Sequence, residues 1–451
     1  MGGAGSNSKA TGEEARHQKR TLKHHGSWFV RRNQPRSKVA YSFRAQYFVR
    51  SILDGLGGRA MTAGRKWVER NLGFDPITTP PPPETFSVKR VAVSAAKLKA
   101  KAPPPEDFQR EIIDFDSESP AGLQFMAFST ATGLSRFTDI PWPAGLAPTT
   151  GPKPQGTPNS PLPQADVLVV TWTVDEGHAL SRVLTPGKDS RNDYVPYRHN
   201  WATLSKKFRK GSPALQANRL GAYWTTTIGK KKVVVFKSDS HMSQDGPQLP
   251  NIDLWRQIIE EVKPTLVITT GTAGGIGKQF EVGDVVVSPI VRFDCTAKFK
   301  SQPFAQAHYS SVAAKSTKFA QAKVLFKANS AQLPKDNTRQ PKIVKVTPKA
   351  LKSSVVTTDF FGFDTSDDHY KLQGLGDVSE MGDAILGLVT SGMGKSAPRW
   401  LAIRNVSDPQ IKAEGTLKEQ AHIAAQIYKG FGRWSSVCSA ITCWASIVAE
   451  A

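Results

Sequence analysis

The sequence predicts an α/β fold over residues 164–451, behind a basic, proline-rich extension over residues 1–163. Three observations carry this. From Ala165 onward, short continuous apolar runs of strand length alternate with stretches of helical spacing, the pattern of buried strands joined by helices. Immediately upstream, Pro141 to Pro163 holds eight prolines in 23 residues, a composition that stays extended, avoids sheets and marks a joint. Acidic or hydroxyl residues also follow several of the apolar runs, where the carboxyl ends of parallel strands share a rim.

The elements follow in order. Ala165 to Thr171 (ADVLVVT) is uninterrupted and apolar, as expected of a strand buried on both faces. Gly221 to Ile228, the turn Gly229 to Lys232, and Val233 to Lys237 form a hairpin. Asn251 to Val262 sets Ile252, Trp255, Ile258, Ile259 and Val262 at helical spacing and stops at Lys263-Pro264. Leu266 to Thr270 is the next strand, closed by the glycine-rich turn Gly271 to Gly277 (GTAGGIG). Further strands are expected at Val285 to Ser288, Val355 to Thr358 and Leu401 to Arg404, with a helix over Asp377 to Val389 and a buried helix over Trp434 to Val448. Lys298 to Lys352 reads as a basic insertion, helix-compatible over Phe304 to Leu333 and strand-like over Pro341 to Val346. In the extension, Tyr41 to Phe74 has the composition of one or two short helices. Few contacts are expected to cross the proline joint, so a chain beginning near Pro161 should fold.

Composition narrows the function classes. At 39% hydrophobic and 22% charged residues, uniform disorder is excluded. Cys295, Cys438 and Cys443 make no disulfide framework, and no Cys/His cluster offers a metal site, so neither a metal nor another cofactor is expected. No run reaches the ~18 apolar residues of a membrane span, and no apolar stretch near the start marks a secretory signal. A cytoplasmic protein without a membrane partner is the expectation. Met1 to Ser6 fits the N-myristoylation pattern, but a flexible glycine/serine start accounts for the same residues. Most of the net charge of +22 sits in two places: Met1 to Arg50 has eleven Lys/Arg against Glu13 and Glu14, and Lys298 to Lys352 has twelve against Asp336. Both stretches are candidates for binding nucleic acid or another polyanion, although a solvated lysine-rich face is the commoner meaning of such runs.

The residues after the strands carry the functional signal. Asp175 and Glu176 follow the first strand, Thr272 lies among the glycines, Asp359 follows VVTT, and Ser407 and Asp408 follow LAIRN. Singly, each acid reads as a helix N-cap or a solvent-facing group. In order, VTWTVDEGHAL, LGAYWTTTIGKKKVVVFKSD, PTLVITTGTAGGIGKQFEVGDVVVS, VVTTDFF, SEMGDAI and LAIRNVSDPQI resemble the motif sequence of the nucleoside phosphorylase/nucleosidase superfamily. They are most similar to its 5'-methylthioadenosine/S-adenosylhomocysteine nucleosidase branch. The resemblance spans roughly Ala165 to Phe431 and says nothing of the extension.

It implies a three-layer α/β/α sandwich around a twisted mixed sheet, with a largely irregular basic N-terminal extension. It also implies an enzyme that breaks the N-glycosidic bond of a nucleoside or nucleotide, most simply a purine one. The leaving purine needs a proton or strong hydrogen bond at N7, and the ribosyl cation needs an anchored sugar and a positioned nucleophile. By the resemblance, Asp408 serves the purine with Ser407 and Arg404 as neighbours, and Glu176 orients the attacking water. Thr272, with Ala273 and Gly274, lies near the nucleophile, Phe361 stacks on the base, and Met381, next to Glu380, lies under the ribose. No cofactor is implied, and a homo-oligomer is.

Departures accompany the match. The family glutamate that holds the ribose hydroxyls falls on Gly382, with Asp383 next along as its candidate stand-in. The glycine turn after the hairpin is replaced by Ser238-Asp239-Ser240-His241, and Lys298 to Lys352 is longer and more basic than the family segment. Thr269 stands where many family phosphorylases hold an arginine for phosphate, which favours water as nucleophile, with Arg182 and Arg292 as other candidates for that arginine. The alternatives are a phosphate-dependent nucleoside phosphorylase and a non-catalytic nucleotide-binding module with a polyanion-binding arm. Asp383 pointing into the site beside Met381 favours catalysis; a solvent-facing Asp383 favours the binding module.

Overall fold

The computed structural model describes residues 139–327 and 333–450. The expected helices of Tyr41 to Phe74, the basic arm Met1 to Arg50 and the rest of the extension before residue 139 lie outside the described residues.

Thirteen strands form one mixed, twisted sheet, with helices on both faces, in a three-layer α/β/α sandwich. The strands are β1 (Thr149–Thr150), β2 (Val167–Thr171), β3 (Val195–Tyr197), β4 (Gly221–Ile228), β5 (Lys231–Ser238), β6 (Leu266–Gly275) and β7 (Val285–Ser288). Then come β8 (Ile290–Asp294), β9 (His308–Ser310), β10 (Ile343–Lys345), β11 (Ser354–Thr358), β12 (Gly376–Glu380) and β13 (Arg399–Asp408). The longer helices are α1 (Val174–Leu184), α2 (Pro250–Val262), α3 (Phe319–Phe326), α4 (Asp383–Ser391) and α5 (Leu417–Val448). Helices α1, α3 and α5 pack together on one face, and α2 and α4 pack against each other.

The centre of the sheet is β6, parallel to β2 on one side and to β13 on the other. All of β2 and nine of the ten residues of β13 are buried, as continuous Val, Leu and Ile runs demand when both faces are covered. No helix among the described residues is long and apolar enough to cross a membrane. The three cysteines are free and buried, two of them in α5, where they pack as small core residues.

Several expectations need correction. The glycine stretch after Thr270 is not simply a turn: β6 runs on to Gly275, paired with β13 as far as Gly274 and with β12 at Gly274 and Gly275. The absence of side chains there lets two strands and the groups above them approach closely. Asp377 to Val389 is not one helix, because Gly376–Glu380 is a strand parallel to β11, and α4 begins only at Asp383. Its buried Val378 and Ser379 occupy a place between β6 and β11 that only extended chain can fill. Among the described residues of the basic insertion the α-helix is Phe319–Phe326, and His308–Ser310 is a strand against β8.

The start at residue 164 also shifts. Thr149 and Thr150, between Pro148 and Pro152, add an edge strand antiparallel to β4, which needs few donors from the proline-rich segment. Upstream, Trp142 packs on Trp444 of α5 with ring centroids 4.9 Å apart, and the Trp444 indole N–H donates to the Leu146 carbonyl at 2.6 Å. A chain beginning near Pro161 loses these contacts, so it should melt below one beginning at Asp139. Trp142→Ala in the full chain should cost about 1–3 kcal/mol. Calorimetry on the three chains checks this, and equal midpoints would show that the upstream segment adds nothing to the fold.

Candidate active site

A cavity opens at the rim where β2, β5, β6, β12 and β13 end. Its lining includes Trp172, Glu176, Lys237, Asp239, His241, Thr272, Ala273 and Gly274, and also Phe361, Glu380, Met381, Arg404, Ser407, Asp408 and Tyr428.

Glu176 owes its position to a helix cap. Thr173, the N-cap of α1, accepts the Glu176 N–H through its hydroxyl, while Glu176 Oε2 accepts the Thr173 N–H at 2.9 Å. The same oxygen accepts the Trp172 N–H at 3.1 Å and the Thr171 hydroxyl at 2.9 Å, and Oε1 accepts the Thr272 N–H and hydroxyl, both at 2.7 Å. Burial alone would raise this carboxyl. Arg404, 3.8 Å away, and the Thr173 and Thr272 donors outweigh it and hold Glu176 below its ordinary range, so it is an anion at neutral pH. Gly271 makes the approach possible: its φ of +153° suits glycine, and a Cβ there would lie 2.2 Å from Glu176 Oε1.

Arg404, on β13 and 2% exposed, is the hub of the charge network. Its Nε donates to Asp383 Oδ2 at 2.8 Å, its Nη2 donates to Asp383 Oδ1, and Nη2 lies 3.4 Å from Glu380 Oε2. Nη1 donates to the Thr272 carbonyl at 3.2 Å, and the guanidinium sits 4.9 Å from the centre of the Trp172 ring. Burial works against the cation, but Asp383 foremost keeps it charged well above any physiological pH. Glu380, the last residue of β12, accepts the Gly382 and Asp383 N–H groups and the Thr357 hydroxyl. Burial, then Asp383, pushes Glu380 up to about 8.

Asp408 ends β13, opposite Gly274 of β6. Its Oδ1 accepts the Ser407 hydroxyl at 2.8 Å, and burial pushes the carboxyl up to about 6 against that bond. A Cβ on Gly274 would come within 3.0 Å of Asp408 Oδ2, so the glycine leaves that oxygen room on the cavity side. The cap of α5 is Thr416, so Asp408 is not a helix cap.

The structure brings most of the expected set together at one cavity. Asp408, Glu176, Thr272, Ala273, Gly274, Phe361, Glu380, Met381, Arg404 and Ser407 all line the cavity. Asp383 does not: it is fully buried and its carboxylate is taken by Arg404, so it neither faces the cavity beside Met381 nor faces solvent. The first position of α4 points it beneath the rim rather than over it. Asp359 is likewise structural, accepting the N–H groups of Thr296, Ala297 and Phe299. Arg182 and Arg292 are not among the lining residues, and Thr269 is buried within β6. Trp172, Lys237, Asp239, Ser379 and Tyr428 were not expected as wall residues; Tyr428 gave no signal beyond helical spacing, whereas Trp172 and Lys237 flank motifs already singled out.

A sheet rim with one carboxyl held low and another pushed up, both facing one cavity, defines an α/β protein built for small-molecule chemistry. The model of the phosphorylase superfamily matches residues 197–430, and the chain belongs to that superfamily. Glu176 and Trp172 lie upstream of the matched residues; Thr272 and Glu380 to Asp408 lie within them. No curated protein matches. Among solved structures, 5'-methylthioadenosine/S-adenosylhomocysteine nucleosidase of Neisseria meningitidis, in complex with methylthio-immucillin-A, is 16% identical; the match covers 63% of this chain and 100% of that one, with a TM-score of 0.37. Futalosine hydrolase of Helicobacter pylori is 12% identical over 62% of this chain and 97% of its own, with a TM-score of 0.39. The Helicobacter pylori 5'-methylthioadenosine/S-adenosylhomocysteine nucleosidase bound to butyl-thio-DADMe-Immucillin-A is 14% identical over 64% and 99%, also at 0.39.

The opposed carboxyl shifts set a pH dependence. Glu380 binds its proton more tightly in the folded state, so its contribution is complete below the unfolded value near 4.3 and is lost as pH rises through about 8. Wild type should therefore lose stability from pH 5 to pH 9 relative to Glu380→Gln, whose amide does not titrate. Thermal unfolding of both proteins across that range measures the difference, and parallel curves would mean that Glu380 titrates normally.

Proposed function

We propose that the protein hydrolyses the N-glycosidic bond of a purine nucleoside or nucleotide and releases the free base. The observation that carries this reading is the pairing of Asp408, pushed up to about 6 and with Oδ2 accepting no hydrogen bond among the described residues, with the anionic Glu176 in the same cavity. Two carboxyls whose environments drive them apart are suited to acid and base roles.

In the proposed reaction, Asp408 gives its proton to N7 of the base as the bond to the sugar breaks, and the bonding electron pair leaves with the base. The cationic sugar is stabilised by the Glu176 carboxylate, and water adds to the anomeric carbon from that side, its proton passing to Glu176. Each Glu176 oxygen already accepts several donors, so the incoming water shares Oε1 with the Thr272 hydroxyl. Phe361 and Met381 offer an apolar bed for base and sugar. Water is favoured over phosphate because Thr269 stands where an arginine would bind phosphate, and Arg404 is already held by Asp383.

Asp408→Asn should abolish base release while ligand affinity stays within about tenfold, since an amide can hydrogen-bond N7 but cannot deliver a proton. Base release should also decline as pH rises above about 6, as the Asp408 proton is lost. Chromatography of free base from a nucleoside panel, in phosphate-free buffer, reads both. Turnover that requires phosphate and yields ribose 1-phosphate would replace hydrolysis with phosphorolysis.

A further inference from the structure

The cavity continues past Glu176 toward the ends of β4 and β5, where its chemistry changes. Lys237 of β5 is the register partner of Thr171 in β2, so it stands beside the turn that carries Trp172 and Glu176. It is 4% exposed and lines the cavity. Its ammonium donates to Asp239 Oδ1, while Asp239 Oδ2 accepts Arg219 Nε at 2.7 Å. Two cations thus meet one carboxylate, itself 1% exposed, and the pair from Arg219 already neutralises it. Asp245, hydrogen-bonded to the Ser240 hydroxyl, is pushed up to about 8 by burial and adds little negative charge at neutral pH.

Two further polar groups belong to the same cavity wall. Trp172 forms part of the wall, and its indole N–H is buried with no hydrogen-bond partner among the described residues. His241, its ring 6.4 Å from that of Trp172, is pushed down to about 4 by burial and is neutral, so one ring nitrogen carries a proton to donate. A buried ammonium and an unmet buried donor on one cavity wall suit a partner that supplies negative charge and acceptors. A phosphate group supplies both, with several oxygens for Lys and N–H donors.

We propose that this end of the cavity is a subsite for a phosphate group carried on the sugar, so that the protein prefers a nucleoside phosphate to the neutral nucleoside. The inference rests on the nucleosidase reading of the same cavity. Lys237 is the direct contact and Trp172 and His241 are neutral donors. Asp239 and Arg219 act through Lys237 and position it.

Titration calorimetry on the full chain tests this with adenosine, guanosine, their 5'-monophosphates and inorganic phosphate. The monophosphate should bind at least about tenfold tighter than its nucleoside, inorganic phosphate should compete with it, and raised salt should narrow the gap. Lys237→Met should bring the two within about twofold, and Lys237→Arg should retain the preference. If wild type binds nucleoside and monophosphate equally and does not bind phosphate, the subsite is overturned, whether or not the variants fold. Phosphate that binds together with the nucleoside, rather than displacing the monophosphate, overturns the sugar-borne assignment in favour of free phosphate. Base release, followed in parallel, separates the two readings: a Lys237-dependent preference without base release overturns the nucleosidase alone.

Discussion

A buried guanidinium is tolerable only if its charge and its donors are met, and Arg404 is met from three directions. Asp383 takes two of its N–H groups, the Thr272 carbonyl takes a third, and the face of Trp172 covers the plane. The rest of the rim is organised by that arrangement. Glu176 stays ionised because the cation is there, and the β6–β13 ladder holds Thr272 at the height where it can donate to Glu176. Asp408 lies at the end of the same strand as Arg404 but outside its reach, and it keeps its proton to higher pH because burial acts on it without a cation beside it. One strand therefore carries both the group that fixes a charge and the group left free to lose one.

Glycine is the material that lets this happen inside a sheet. Gly271 and Gly274 belong to a paired strand, yet the space their side chains would fill is occupied by Glu176 and Asp408 oxygens. The site is thus built directly over the ladder and not on a loop beyond it, which ties the carboxyl positions to the most buried hydrogen bonds of the fold.

Much of this was legible in the sequence, and what was missed has a physical cause. The continuous apolar runs located β2, β6 and β13, and the order of acids and hydroxyls after them located the rim. The glycines read as a turn because glycine is a poor strand former in isolation; pairing with β13, and with β12 at Gly274 and Gly275, overrides that. Asp377 to Val389 read as a single helix because a five-residue strand is too short to impose its own period on a helical neighbour. Asp383 looked like a carboxylate available to a ligand, and only the placement of Arg404 from a strand in another part of the chain commits it elsewhere. Lys237 was hidden for the opposite reason: as one more lysine in a basic hairpin it resembles a solvated residue, and its burial depends on Asp239 and Arg219 closing round it.

The last helix also sets a distance. Tyr428 near one end of α5 is a wall of the cavity, and Trp444 near the other receives Trp142 and Leu146. Sixteen residues separate them, which a straight helix converts to roughly 24 Å. Trp142 and Leu146 are therefore held about that far from the Tyr428 wall of the cavity. Helix α5 acts as a spacer rod between the proline-rich segment and the place where the carboxyls work.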